Sequence, residues 1–286
     1  MTNNKTIFVT GATGNQGGAV ARNLARAGFT VKALTRNTQS AKALELSSLN
    51  IALIKGDLND TQTFRNELKN IYGIFSVQTF QNGIRNEIHQ GTALASLAKE
   101  VGINHFLYSS VSGADSNTGV PHMDSKFTIE NHIRRLSIPF TIIRPAGFYE
   151  NFLHPQVKKG ILKGKLVQPG KPDTVMQYIA ADDIGKAAAR IFMQGEKYID
   201  KTLPLAAERL SNRQIAEEFS SVLHKKIKYQ KLPGFLSRIF LGNTLFKMFK
   251  LLDEKTFFKQ EDMVSTRKEF PDLLSLKNWI AINFKS

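Results

Sequence analysis

The ten residues Val9–Gly18, VTGATGNQGG, decide how the first half of this chain is read. They close a short apolar run, "TIFVTG" (6–11). They also open a stretch with helical spacing at Val20, Leu24 and Ala27 that stops at Gly28. Three glycines recur as Gly11-x-x-Gly14-x-x-Gly17. Gly11 permits a sharp exit from a strand, Gly14 lets backbone approach a ligand with no side chain between, and Gly17 allows a helix to lie close to a sheet. The first turn of a helix presents unpaired amides and the positive end of its dipole, which suits a pyrophosphate. Gly11, Thr13, Gly14, Asn15, Gln16 and Gly17 therefore form a candidate dinucleotide seat.

Outward from this turn, strand and helix signals alternate. Strands are expected at 30–36, 50–58, 71–78, 104–111 and 139–146, and helices at 38–49, 60–70 (opened by Asp60), 84–102 and 124–137. Five or six apolar strands separated by amphipathic helices predict an α/β fold. The pattern is a Rossmann-type doubly wound parallel sheet, whose ligands bind beyond the carboxyl ends of its strands. After Phe148 the rhythm breaks. Glycine, proline and lysine over 158–179 suggest a hairpin or an irregular crossing, 180–193 a helix, and 201–207 a final strand. Ser211 with Gln214 is a capping-box signature, 232–258 is phenylalanine-rich and helical, and 275–284 closes the chain. The expected organisation is a Rossmann domain over 1–152, completed by about 176–207. A smaller, mostly helical domain for substrate or interaction is built from 153–175 and 208–286.

A hydrophobic content of 42% with nine prolines fits a globular chain. The absence of cysteine excludes disulfides, thiol catalysis and cysteine-ligated zinc. The six histidines never form His-x-x-x-His, so no metal site is expected. The first strand is expected within about five residues of the start, so no signal peptide is expected. No apolar run approaches the roughly 20 residues that span a bilayer. A soluble cytoplasmic protein is expected. The net charge is +15, divided as +5 over residues 1–150 (15 basic, 10 acidic) and +10 over 151–286 (24 basic, 14 acidic). Such an excess attracts anions. No nucleic-acid-binding motif accompanies it, so no sequence-specific nucleic-acid partner is expected. In the tail, Phe235, Leu236, Ile239, Phe240, Leu245, Phe246, Met248, Phe249 and Leu252 are read as the small domain's core and the roof of a substrate cleft. A partner-docking face and a membrane-surface helix are the other readings of this stretch.

The end of the second strand distinguishes the two nicotinamide cofactors. An acid there accepts from a ribose 2′-hydroxyl, whereas a 2′-phosphate favours arginine. "LTRN" places Arg36 at this point, nineteen residues past Gly17, and no acid. NADP(H) is the expected cofactor. Asp57, ending the third strand, is either an acceptor for the adenine amino group or a cap of the next helix. Gln78, Thr79 and Phe80 follow the fourth strand and are expected to wall the cofactor.

Several separated motifs occur in order: "VTGATGNQGG", "ALTRN", "KGDLND", "YSSVSGAD", "HMDSK", "IIRPAGFYENFL" and "YIAADDIGKAAARI". Over residues 5–210 the chain resembles the NmrA-like family, atypical members of the short-chain dehydrogenase/reductase superfamily. The resemblance implies a Rossmann domain, NADP(H) binding and a small C-terminal domain. Its members include NADPH-dependent reductases of quinones, dyes or phenylpropanoids, and redox-sensing regulators that bind cofactor and protein partners. The expected function is reduction of a quinone-like or other conjugated small molecule. The alternative is a non-catalytic NADPH/NADP+ sensor acting on a regulatory partner.

Ordinary superfamily enzymes place Tyr-x-x-x-Lys on one helical face, where the ammonium lowers the tyrosine pKa for proton exchange with substrate. Here the segment is His122-Met123-Asp124-Ser125-Lys126, with histidine in the tyrosine position. Three readings stay open. His122 is a replacement proton donor; or it is a bystander to a Lys126 that holds the nicotinamide ribose; or Lys126 is itself the acid. Ser109 and Ser110 stand where a carbonyl-polarising serine belongs, or else satisfy turn amides. Tyr108 is expected to pack beside the sheet. Phe148 and Tyr149 are expected to form an apolar wall by the nicotinamide, with Asn151 hydrogen-bonding cofactor or substrate; the same segment reads equally as a hinge.

Overall fold

The computed structural model describes residues 5–254 and 259–285, apart from the side chains of Phe240 and Leu241. Strands β1 (Thr6–Val9), β2 (Thr30–Thr35), β3 (Ala52–Lys55), β4 (Gly73–Ser76), β5 (His105–Ser109) and β6 (Phe140–Pro145) alternate with helices α1 (Asn15–Arg26), α2 (Ala41–Ser47), α3 (Ile84–Val101) and α4 (Pro121–Arg135). Next come β7 (Gly147–Phe148), α5 (Pro155–Leu162), β8 (Lys165–Gln168), β9 (Val175–Ile179), α6 (Ala181–Met193), α7 (Gly195–Tyr198) and β10 (Lys201–Leu205). The chain ends through β11 (Glu208–Ser211), α8 (Asn212–Val222), β12 (Lys228–Lys231), α9 (Gly234–Glu254), α10 (Gln260–Glu269) and α11 (Leu276–Asn283).

These elements divide into two compact units. The first comprises the chain up to Ala114, His122–Arg144 and Ala181–Leu203; the second comprises Asp115–Pro121, Pro145–Ala180 and the chain from Pro204. Residues 115–121, 145–152, 176–180 and 204–207, expected in the Rossmann domain, thus fall in the second unit.

Seven strands form one sheet in the order β10-β6-β5-β4-β1-β2-β3. All pairings from β6 through β3 are parallel. Ile7, Phe8 and Val9 of β1 are all fully buried, as a central parallel strand covered on both faces requires. Phe8 stacks on Phe64, and Leu94, Phe106, Ile129 and Ile142 share that core. The helix expected over 60–70 is a 3₁₀ helix over residues 61–68, with Asp60 accepting from the Gln62 amide at its start.

From β1 the chain steps outward through β2 to β3, then returns to place β4 on β1's other side. The carboxyl ends of β1 and β4 therefore flank the point where the strand order reverses, where open α/β sheets bind ligands. Thr10 ties these two ends together. Its amide donates to the Phe75 carbonyl (3.0 Å), and its hydroxyl oxygen accepts from the Val77 amide (2.9 Å). Helix α6 lies directly on α1: a Cβ at Gly185 would come within 2.6 Å of the Ala19 carbonyl oxygen. Asn23 joins the same two helices, donating to Ala19 O (2.9 Å) and to Asp182 Oδ1 (2.8 Å).

The second unit holds a three-stranded sheet, β11-β9-β7, and a two-stranded parallel pair, β12-β8. Its core is aromatic, built from Tyr149, Phe152, Tyr178, Phe219, Trp279 and Phe284. Ser211 and Gln214 form the expected capping box at the start of α8. The segment 158–179 is an irregular crossing and not a hairpin, because β8 and β9 join different sheets. The turn between them is held by Asp253, which accepts from the Lys171 amide and from the Thr174 hydroxyl. β10 is not the last strand, since β11 and β12 follow it.

The apolar tail departs most from expectation. Phe235 and Ile239 are 68% and 71% exposed, so they are not core residues. Gly242, at φ +75°, breaks α9, and among the described side chains of the first half Ser237 is the buried one, bonded to the Leu232 and Pro233 carbonyls. After the break Leu252 is buried, with Met248 and Phe249 packed beside it. The Phe240 side chain lies outside the described residues.

Gly17 and Gly102 separate two uses of glycine. A Cβ at Gly17 would lie 2.3 Å from the Gly11 carbonyl oxygen, whereas Gly102 has open space and a φ of +68°. Gly17→Ala is expected to lower stability by about 3 kcal/mol through forced backbone displacement. Gly102→Asn, suited to a left-handed helix end, is expected to cost well under about 1 kcal/mol. Urea unfolding midpoints of the two variants check both.

Candidate functional site

The glycine turn after β1 is open on one side and tightly packed on the other. Gly11, Gly14 and Asn15 are exposed and Thr13 is half-buried, while Gln16 and Gly17 are buried. Gly11 takes φ +61°, and a Cβ there would meet Val77 Cγ1 at 2.7 Å. The Gly14 amide closes the turn onto the Gly11 carbonyl (2.9 Å), and Gly14 caps α1 with no side-chain bond to the helix. Among the described residues, no side chain accepts from the first amides of α1. Gln16 turns its side chain inward and donates to Ser109 Oγ, tying α1 to the end of β5.

Arg36 is exposed beyond β2 and forms no ion pair among the described residues. Its loop is fixed around it: Asn37 donates its amide to Thr35 Oγ1 (3.2 Å) and accepts from Gln39, and Ser40 caps α2. Asp57 is half-buried, and its carboxylate accepts from the Asn59 amide (2.9 Å). The following helix is capped by Asp60, not by Asp57.

The end of β4 and the start of α4 meet in a buried polar cluster. Lys126 Nζ lies 3.0 Å from Glu87 Oε1 and donates to the Gln78 carbonyl (3.1 Å). Ser125 donates to the other Glu87 oxygen at 2.5 Å. Glu87 is fully buried and the Lys126 side chain is 10% exposed. The ammonium thus makes one hydrogen bond, to the Gln78 carbonyl, and faces Glu87 at ion-pair distance, where Glu87 Oε1 has no hydrogen-bond partner among the described residues. Sequence reading missed Glu87 because an acid in the first turn of a helix looks like ordinary dipole compensation, and 39 residues separate it from Lys126. Ser125 was equally silent.

His122, one turn before Lys126, stacks on Phe80 with ring centroids 4.9 Å apart. Burial, aided by the neighbouring Lys126, pushes its imidazole down to about 4. His122 is therefore a neutral ring near pH 7. Tyr108 is fully buried, and burial together with Glu87 and Glu130 raises its phenol well above the ordinary range. It packs in the sheet as expected. Ser110 Oγ, Gln78 Oε1 and His122 Nδ1 are buried without a hydrogen-bond partner among the described residues. Buried polar atoms of this kind need an explanation, and a polar ligand supplies one. Thr79 is exposed and caps the short turn at Phe80–Asn82.

The three residues expected from the segment after β6 lie in the second unit. Tyr149 is not a wall residue. It is fully buried between Tyr178 and Trp279, and its hydroxyl donates to Glu208 (2.8 Å). Phe148 is half-buried in β7 and Asn151 is exposed.

The model of the NmrA-like family matches residues 3–279. The chain belongs to the NmrA-like family. It is 30% identical over 243 residues to the nitrogen metabolite repression protein of Emericella nidulans, covering 80% of this chain and 68% of that protein. Among solved structures it is similar to NmrA, a negative transcriptional regulator, in complex with NADP. The TM-score is 0.80 at 26% identity, over 98% of this chain and 95% of that one. The same regulator in complex with NAD gives a TM-score of 0.81, at the same identity and coverage. A triphenylmethane reductase of Citrobacter sp. shares the fold, with a TM-score of 0.83 at 21% identity over 98% of this chain and all of that one. No helix among the described residues of this family member is long and apolar enough to cross a membrane.

Two expectations follow from the buried groups. Glu87→Gln removes one partner of a buried ion pair and is expected to cost about 3 kcal/mol or more, whereas Glu87→Gln with Lys126→Met recovers part of that loss. A double-mutant cycle in urea checks the coupling. The second concerns pH. His105, buried beside Phe192 and bonded to Thr141 (2.7 Å), is pushed down to about 4 by burial and by Lys5, as His122 is by its own surroundings. Unfolded, each takes its proton near 6.5; folded, only near 4. Between these values the unfolded chain binds more protons, so stability falls as pH drops, by up to about 3 kcal/mol per histidine. Unfolding at pH 7 and pH 5 measures this, and His105→Gln should flatten the slope.

Proposed function

We propose that the chain binds NADP(H) at the glycine turn of its first unit and reduces a quinone-like or other conjugated small molecule. The observation that supports this most is the seat itself: exposed Gly11, Gly14 and Asn15, a helix start with no side-chain cap, and an unpaired Arg36 beyond β2. Gly14 and the first amides of α1 would hold the pyrophosphate, and Arg36 a 2′-phosphate. When bound, the reduced nicotinamide supplies a hydride, which a quinone accepts while drawing its proton from water.

The residues of this chain favour such an acceptor over a simple ketone. Lys126 is committed to Glu87 and Gln78. Held in this way, its ammonium suits a ribose hydroxyl better than proton delivery to substrate. A neutral His122, stacked on Phe80, offers a flat apolar surface and carries no proton to release near neutrality. Ser110 and Gln78 contribute unpaired polar atoms for orientation. The second reading, an NADPH/NADP+ sensor acting on a protein partner, draws support from the 30% identity to a repression protein.

Oxidation of NADPH with a panel of quinones and dyes tests the reductase reading. Turnover that survives His122→Ala and is lost with Arg36→Glu is the expected result. Tight NADPH binding with no turnover on any acceptor leaves only the sensor. Arg36→Glu is expected to weaken NADP+ by at least about tenfold while leaving NAD+ nearly unchanged. A preference of the unmodified chain for NAD+ of that size would defeat the role given to Arg36.

A further inference from the structure

The second unit carries a concentration of positive charge that dinucleotide binding at α1 does not use. Lys163 and Lys165 flank the turn from α5 into β8, Lys225 and Lys226 follow α8, and Lys228 opens β12. All five line one open cavity of about 340 Å³ that has no acidic lining residue. None of the five has a carboxylate within ion-pair distance among the described residues.

The cavity is built and not merely a crowded surface. Gly164, at φ +82°, turns the chain so that its carbonyl accepts from the Lys228 amide (2.9 Å). A Cβ at Gly164 would sit 3.2 Å from the Lys226 carbonyl oxygen, so the two turns nearly touch. Lys225 Nζ donates to the Leu162 carbonyl (2.8 Å), which fixes one ammonium at the rim. Holding five like charges around one cavity costs free energy that a bound anion recovers, and a concave surface of one sign concentrates anions.

We infer that this cavity is a second, separate site for a compact oligophosphate. Its size lies at the lower end of small-molecule sites, roughly 300–1,000 Å³. Lysines converging on one cavity fit a compact ligand better than a long strand. Lysine supplies compact point charges, an established means of holding phosphate, and the lining has no arginine fork, which would match carboxylate and phosphate alike. A nucleic acid would call for stacking platforms. The one aromatic among the lining residues, Tyr229, has its hydroxyl held by the Gly170 carbonyl at 2.6 Å. The phosphates belong either to a free molecule or to a lipid headgroup.

The test uses the full chain with inorganic tripolyphosphate, titrated calorimetrically with and without saturating NADP+. Binding is expected to persist with NADP+ present, and to weaken at least about tenfold in Lys165→Glu/Lys228→Glu. Lys42→Glu, an exposed change in the first unit, is expected to leave it unaltered. Circular dichroism confirms that each variant is folded. Sedimentation with vesicles of phosphatidylinositol bisphosphate, against phosphatidylserine vesicles of equal charge, separates the sources: selective co-sedimentation assigns a lipid, and its absence assigns a free oligophosphate. No binding at millimolar tripolyphosphate overturns the site. So does loss on adding NADP+, an equal loss in Lys42→Glu, or tighter binding of duplex DNA or polyglutamate.

Discussion

The first unit depends on how closely α1 approaches the end of β1. At Gly17 the helix passes so near the Gly11 carbonyl that no side chain fits between them. That approach sets where the first amides of α1 point, and it leaves Gly14 free to start the helix without a side-chain cap. Thr10, one residue before the turn, binds the end of β4, so the seat's position is referred to two central strands at once. The Gly185 contact with Ala19 repeats the same economy on the helix's outer side. A helix held on both flanks by backbone-to-backbone approach has little freedom to tilt.

Beside this seat the chain maintains a charged pair in its interior. Glu87 and Lys126 lie on different helices, and their pairing fixes the start of α3 against α4 while keeping the ammonium close to the Gln78 carbonyl. A buried ion pair adds little to net stability when compared with apolar packing, yet it restricts the lysine to one position. His122 fits the same picture, as a neutral ring clamped on Phe80.

Much of the first unit was legible because its signals are local. A glycine triplet between strand and helix and alternating apolar strands each follow from a few neighbouring residues. The same held for the Ser211–Gln214 cap. What escaped notice depends on distant pairing. Glu87 acquires its meaning only when α3 is laid beside α4, and Tyr149 becomes a core residue only once Glu208 and Trp279 surround it. Composition misled in the tail, where phenylalanine implies burial on average, but Gly242 interrupts α9 and Phe235 stays in solvent.

The order in which the chain visits its two units has a consequence for how it is made. Leu203 closes the first unit, whose last contribution, α6 through the start of β10, arrives after the chain has already left and re-entered it. During synthesis α1 therefore waits for most of two hundred residues before α6 emerges to cover Ala19 and meet Asn23 through Asp182. Until then the outer surface of α1 is bare, and folding from the N-terminus cannot be completed one unit at a time. The glycines that let two backbones touch also make the earliest part of the fold wait for a late one.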